Sequence, residues 1–215
     1  MQEILIKKQQ TVPVYLNDTP TDAQKYGWLV AHGHGQRADF ILKKCNRFDS
    51  QDHRVVSAEA GNRFYWAEDS QRPVATWMTS RLRLEDIQNN NDYFDEVYDR
   101  YIADRAVKVL FGFSQGGTTL WRWIHDRQPD FDVFINYAGW VPEDIDLSIL
   151  DEYARGKKLI FCSGNTDQYL TPSRILALYE VVEKSTLKIA LETFEGGHAV
   201  SRDVLYQLSQ KYILK

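Results

Sequence analysis

An α/β architecture, with a mostly parallel sheet covered by helices on both faces, is the fold class this sequence predicts. Three observations carry the prediction. Short apolar runs alternate with segments of helical spacing, the order that yields parallel strands joined by crossover helices. The most apolar runs, AVKVLFGF at 106–113 and KLIFC at 158–162, are hydrophobic at nearly every position, as strands covered on both faces must be. Glycines and chemically active side chains gather directly after these runs, where open α/β sheets hold their ligands.

The elements follow in order. Residues 3–8 and 11–16 are short and β-branched, which predicts two neighbouring edge strands. YGWLVA at 26–31 reads as a buried strand. Phe40, Ile41, Cys45 and Phe48 then share one face of a helix. RVVSA at 54–58 is the next strand. Residues 59–83 show many aromatics and no clean period. Helical spacing resumes at Ile87, Phe94, Val97, Tyr98 and Tyr101, across a run of asparagines at 89–91 that weakens the helix locally. After AVKVLFGF a helix carries Leu120, Trp121 and Ile124, and residues 131–138 and 158–162 are strands. Thr171 and Pro172 offer an N-cap and a first-turn proline to a helix bearing Ile175, Leu178, Tyr179 and Val182. Residues 187–194 form the last strand, and Val204, Leu205, Leu208 and Tyr212 mark the last helix. With 215 residues, and without repeats or linkers, one domain over 1–215 is expected. The segment at 139–157 is too short for a large cap domain.

Composition narrows the function classes. A net charge of −4 with interspersed signs argues against nucleic acid, which calls for a basic stripe. No apolar run approaches the length that spans a bilayer. The opening MQEILIKKQQ lacks the apolar core of a signal peptide, and the two cysteines, Cys45 and Cys162, have no metal-like spacing, so a cytoplasmic setting is expected.

The chemistry concentrates at strand ends. FGFSQGG at 111–117 contains G-x-S-x-G, the strained strand-to-helix turn that lifts a serine hydroxyl above a sheet. A random arrangement of this composition would produce the pattern only about 0.03 times, which favours a functional turn over a structural one. Ser114 is therefore the candidate nucleophile, and the Gln115 N–H, at a helix start, is aimed at any oxyanion formed beside it. A serine hydroxyl needs a base, and His198, in GGH after the last strand, is the candidate. The imidazole needs an acid to fix its tautomer. Asp167 stands directly after its strand in SGNTDQ, while Asp144 and Asp146 in VPEDID are rivals in a loop position. The order Ser, Asp, His is the one such a sheet imposes.

HGHG at 32–35 has several readings. The His34 N–H could be a second oxyanion donor, the glycines could simply permit a tight turn, or His32 and His34 could bind metal. Metal is disfavoured because no Asp, Glu or Cys clusters nearby. His53 and His125 read as surface histidines. The aromatic stretch at 59–80, with Phe64, Tyr65, Trp66 and Trp77, either walls a pocket together with Trp140 and Leu170 or forms a satellite core.

Taken together, HGHGQ, Trp77-Met78, GFSQGG, Asp167 and GGH resemble the α/β-hydrolase carboxylesterases, and within them the phospholipase/carboxylesterase group that includes acyl-protein thioesterases and small bacterial esterases. The resemblance runs from about Trp28 to His198. It implies Ser114 as nucleophile, Asp167 as acid, His198 as base and the backbone N–H groups of His34 and Gln115 as oxyanion hole. It implies a small-molecule ester substrate and no cofactor or metal. Two departures stand out: His34 replaces a leucine-like residue, and EAGNRFYWAEDSQRP replaces a proline-rich stretch. Thioester, lysophospholipid and peptide hydrolysis, and a non-catalytic binding role, stay open at this point.

Overall fold

The computed structural model describes residues 1–6, 8–66 and 69–214. In chain order these form β1 (Val14–Leu16), β2 (Tyr26–Ala31), α1 (Ala38–Leu42), β3 (His53–Ala58), β4 (Asn62–Trp66), β5 (Asp69–Thr76) and α2 (Arg83–Tyr101). They continue with β6 (Val107–Phe113), α3 (Gln115–Arg127), β7 (Val133–Tyr137), β8 (Lys158–Gly164), α4 (Pro172–Lys184), β9 (Ile189–Phe194) and α5 (Arg202–Tyr212). Seven strands make one sheet in the order β1-β3-β2-β6-β7-β8-β9. Only β1 runs antiparallel, against β3. The chain has the α/β-hydrolase fold without a large cap.

Alternation along each strand feeds two cores. Trp28 and Val30 of β2 face one side with Val109, Phe111, Ile135 and Leu205, while Leu29 faces the other with Leu110, Phe134, Trp123 and Phe94. Helices α1 and α5 cover the first side; α2, α3 and α4 cover the second. Burial of this kind contributes about 25 cal/mol per Å2 of apolar surface and is the main force holding the layers together.

Several expectations need correction. Of the two predicted edge strands only β1 forms; residues 3–6 and 8 join no strand among the described residues, and Lys7 lies outside them. The helix after β2 is short, passes into a 3-10 turn at Lys43–Cys45, and leaves Phe40 exposed. Residues 59–83 are not irregular: they hold β4 and β5, an antiparallel hairpin separate from the main sheet, with Ala67 and Glu68 outside the described residues. The asparagines of α2 do not interrupt it. Asn90 donates to the Trp77 carbonyl (2.8 Å) and Asn91 to Asp126 (2.8 Å), so tertiary bonds offset their poor propensity. His53 is no surface residue. It begins β3, is buried, and its Nδ1 accepts the Trp28 indole N–H at 3.0 Å.

Candidate active site

The site assembles at the carboxyl ends of β2, β6, β8 and β9. Ser114 follows β6 with φ 52° and ψ −120°, a strained conformation for a residue with a side chain. The turn is tight enough that a Cβ on Gly116 would lie 2.3 Å from the Ala31 carbonyl oxygen. A Cβ on Gly112 would lie 2.4 Å from the Gly117 Cα. Packing rather than local preference therefore holds the elbow, helped by a bond from the Ser114 N–H to the Tyr137 carbonyl at 2.9 Å.

His198 reaches Ser114 from the loop after β9. Its Nε2 lies 2.8 Å from Ser114 Oγ, and its Nδ1 lies 2.7 Å from Asp167 Oδ2. The Asp167 side chain is fully buried, and its Oδ1 accepts the Tyr169 N–H at 2.9 Å. With the ring proton on Nδ1 given to Asp167, Nε2 keeps a lone pair for the serine hydroxyl. The two loops are laced together: Gly196 N–H donates to Asn165 Oδ1 (3.1 Å) and Thr166 N–H to the Gly196 carbonyl (3.0 Å). The rings of Phe113 and Tyr169 flank His198 at 5.0 and 4.7 Å, Tyr169 edge-on.

The rival acids are committed elsewhere. Asp144 binds Arg122 (2.8 and 3.1 Å) and Arg83 (3.1 Å). Desolvation alone would raise its pKa, but these guanidinium bonds prevail and hold it at about 2. Asp146 accepts from the Ser148 N–H (2.9 Å) and hydroxyl (2.7 Å), capping a 3-10 turn.

The turn after β2 lies against the elbow; a Cβ on Gly33 would come within 3.3 Å of the Ser114 Cβ. Its amides divide by role. Gly33 N–H donates to Gln36 Oε1 and Gly35 N–H to the Ala75 carbonyl, whereas the His34 and Gln115 N–H groups meet no acceptor among the described residues. Free donors next to the Ser114 turn are the kind of groups that suit a developing negative charge. His32 is spent on structure: its Nδ1 bonds the Gly33 carbonyl (2.8 Å) and its Nε2 accepts the Ala60 N–H (3.0 Å). With both nitrogens engaged it offers no lone pair to a metal. Burial lowers its pKa to about 4 and also lowers that of His34, so both rings are neutral near pH 7.

Sequence reasoning missed the strut beneath this turn. The Gln115 side chain folds back so that its Oε1 accepts from the Trp77 N–H (3.0 Å) and the Thr76 hydroxyl (2.9 Å), while its Nε2 donates to the Met78 carbonyl (3.0 Å). Thr76 Oγ1 in turn lies 3.0 Å from His34 Nδ1. One side chain thus ties the start of α3 to the foot of β5 and, through Thr76, to the His34 turn. No local signal announces it, because Gln115 and residues 76–78 meet only through the fold.

The expected substrate residues separate. Trp77 is fully buried: its indole N–H donates to the His32 carbonyl (2.7 Å) and its ring packs on Phe94. It belongs to the core and not to a pocket wall, because the chain turns inward directly after β5. Trp140 is half-buried against the α2–α3 side of the core. Leu170 borders a cavity of about 390 Å3 between β8, β9 and α4, whose wall also includes Asp167. Phe64 and Trp66 instead flank His34, at ring distances of 5.3 and 5.6 Å. No helix among the described residues is long and apolar enough to cross a membrane.

Known proteins give the chain a context. A family model described as serine hydrolase (FSH1) matches residues 21–207. No curated protein sequence matches. Among solved structures, a Zea mays acyl-protein thioesterase 2 superposes with a TM-score of 0.72 at 14% identity, covering 93% of this chain and 96% of its own. A Bacillus cereus carboxylesterase gives 0.69 at 15% identity, covering 94% and 93%. A phospholipase/carboxylesterase from Dyadobacter fermentans gives 0.66 at 16% identity, covering 97% and 99%. These similarities are in fold.

Proposed function

The chain belongs to the serine hydrolase (FSH1) family, and on that premise we propose that it cleaves small or exposed carboxylic esters through an acyl-enzyme on Ser114. One observation carries the reading: the unbroken run of contacts from Ser114 Oγ to His198 Nε2 (2.8 Å) and from His198 Nδ1 to Asp167 Oδ2 (2.7 Å). The serine oxygen attacks the ester carbonyl carbon as its proton passes to His198 Nε2. Asp167 stabilises the imidazolium that forms. The carbonyl oxygen, now an oxyanion, rests against the His34 and Gln115 N–H groups, each worth about 3 kcal/mol in comparable holes. Collapse expels the alcohol oxygen, which takes the proton back from His198. Water repeats the sequence on the acyl-enzyme and releases the acid. The chain's own groups supply every proton transfer, so no cofactor enters. Two free, buried cysteines support a cytoplasmic setting.

A fluorophosphonate probe and p-nitrophenyl acetate test this directly. Ser114 is expected to carry the label, and Ser114→Ala to lose both labelling and turnover. A folded protein that neither reacts with the probe nor turns over the ester would favour a binding role instead. Faster cleavage of the matched thioester or anilide would move the substrate class.

A further inference from the structure

We propose that the cavity between the β4–β5 hairpin and the start of α2 is the acyl subsite, and that it takes an unbranched apolar acyl chain. This inference rests on Ser114 being the nucleophile. The cavity holds about 430 Å3, and its wall includes His34, Phe64, Thr76, Thr79, Leu82 and Asp86.

Three observations carry it. The polar groups of the wall are already engaged. Asp86 accepts from Asn62 Nδ2 (3.0 Å) and the Thr79 N–H (3.3 Å). Thr79 Oγ1 donates to the Arg81 carbonyl (3.0 Å), Arg81 binds Glu3 (2.7 Å) and Arg63 donates to the Thr11 carbonyl (3.0 Å). What is left to meet a ligand is the Phe64 and His34 rings, the Leu82 side chain and threonine methyls, a mainly apolar lining that suits hydrocarbon.

Leu82 is itself anomalous. It occupies the N-cap of α2 with φ 54° and ψ 38°, makes no capping bond, and stays 42% exposed. Ser, Thr, Asp or Asn normally fills that position, and a side chain in this conformation is strained. A leucine held there costs stability locally and gains nothing from the core, which points to its role in the cavity wall.

Direction follows from the proton transfers. The leaving oxygen must face His198 Nε2, so the alcohol portion lies on the Tyr169 side. The cavity draws no residue from the loops after β8 or β9, and shares His34 with the oxyanion turn. The substituent pointing away from His198 is the acyl chain.

Two ester series separate the possibilities: p-nitrophenyl esters from acetate to octanoate, and alkyl acetates of the same lengths. In the acyl series kcat/KM is expected to rise about fourfold per methylene over the first carbons, with little trend in the alkyl series. Leu82→Trp and, as a second variant, Thr79→Trp should lower the octanoate-to-acetate ratio of kcat/KM at least tenfold. A flat acyl series in an enzyme active on acetate, a length trend in the alkyl series instead, or an unchanged ratio in both variants overturns the subsite while leaving Ser114 its role. Absence of turnover on every ester, with no fluorophosphonate label on Ser114, removes the hydrolase reading and the subsite with it.

Discussion

Asp167→Asn is the most informative single change, because the structure dictates which way the new amide must point. Asp167 Oδ1 accepts the Tyr169 N–H at 2.9 Å, and an amide nitrogen there would place two donors against each other. The asparagine oxygen therefore stays on Tyr169, and its NH2 faces His198 Nδ1, 2.7 Å from the oxygen it replaces. To accept that donor, His198 must move its own proton to Nε2. The ring then presents N–H to Ser114 Oγ, 2.8 Å away, and has no lone pair to take the hydroxyl proton. Enforcing the wrong tautomer in a Ser-His-Asp site lowers kcat by about ten-thousandfold, equivalent to about 5.5 kcal/mol of transition-state stabilisation. The assay is kcat on p-nitrophenyl acetate, with a thermal melt to show that the variant is folded. Asp144→Asn is the control. It weakens a partly exposed contact to Arg122 and Arg83, which costs about 1 kcal/mol or less of stability after solvent screening, and leaves kcat within a few fold. Retention of more than a tenth of the activity in Asp167→Asn would refute the tautomer reasoning, and a collapse of kcat in Asp144→Asn would move the acid to the earlier loop.

Three further expectations follow from the same contacts. His32, with a folded pKa depressed by burial from 6.5 to about 4, contributes stability that is present above pH 6.5 and lost as pH falls toward 4, at most about 3 kcal/mol; an NMR titration placing its imidazole near 6.5 would contradict this. Gly116→Ala should cost about 3 kcal/mol or more, since its Cβ would meet the backbone oxygens of Ala31 (2.3 Å) and His32 (2.5 Å); an unchanged melting temperature would mean the elbow is looser than described. Gln115→Met should strip the buried Trp77 N–H of its acceptor, cost about 1–3 kcal/mol of stability, and lower kcat more than it raises KM; a change confined to KM would argue that the strut does not set the oxyanion donors.

The centre of the sheet was legible in the sequence because β6, β7 and β8 are largely buried and read as near-continuous apolar runs, AVKVLFGF above all. Ser114, Asp167 and His198 could be singled out because each follows a strand closely enough that topology brings them to one edge. The hairpin was not legible. β4 is largely exposed and packs on no core of its own, so Asn62–Trp66 shows no alternation, and Pro73 within β5 argues against a strand until its edge position is known. Residues 3–6 show the converse failure, with a strand-like pattern that joins no strand among the described residues. Trp77 misled because an aromatic in a loop-like stretch suggested a pocket, whereas a side chain of that size more often fills a core. Asp144 could not be set aside from sequence, since Arg83 and Arg122 reach it only through packing of α2, α3 and the loop after β7.

The β4–β5 hairpin enters the chain between β3 and α2, in a connection that contributes none of Ser114, Asp167 or His198. Its tip and its foot have separate duties. Ala75 bonds the turn at Gln36, and Thr76 to Met78 grip Gln115, while Phe64 and Trp66 stand further out beside His34. The proposed acyl wall and the strut on Gln115 meet at Thr76 and His34, while Phe64 belongs to the wall alone. Exchanging residues 63–72 for a hairpin of different length or chemistry, with the stretch from Ala75 to Met78 kept intact, is therefore expected to shift the preferred acyl group of the ester while Ser114, Asp167 and His198 keep their mutual contacts.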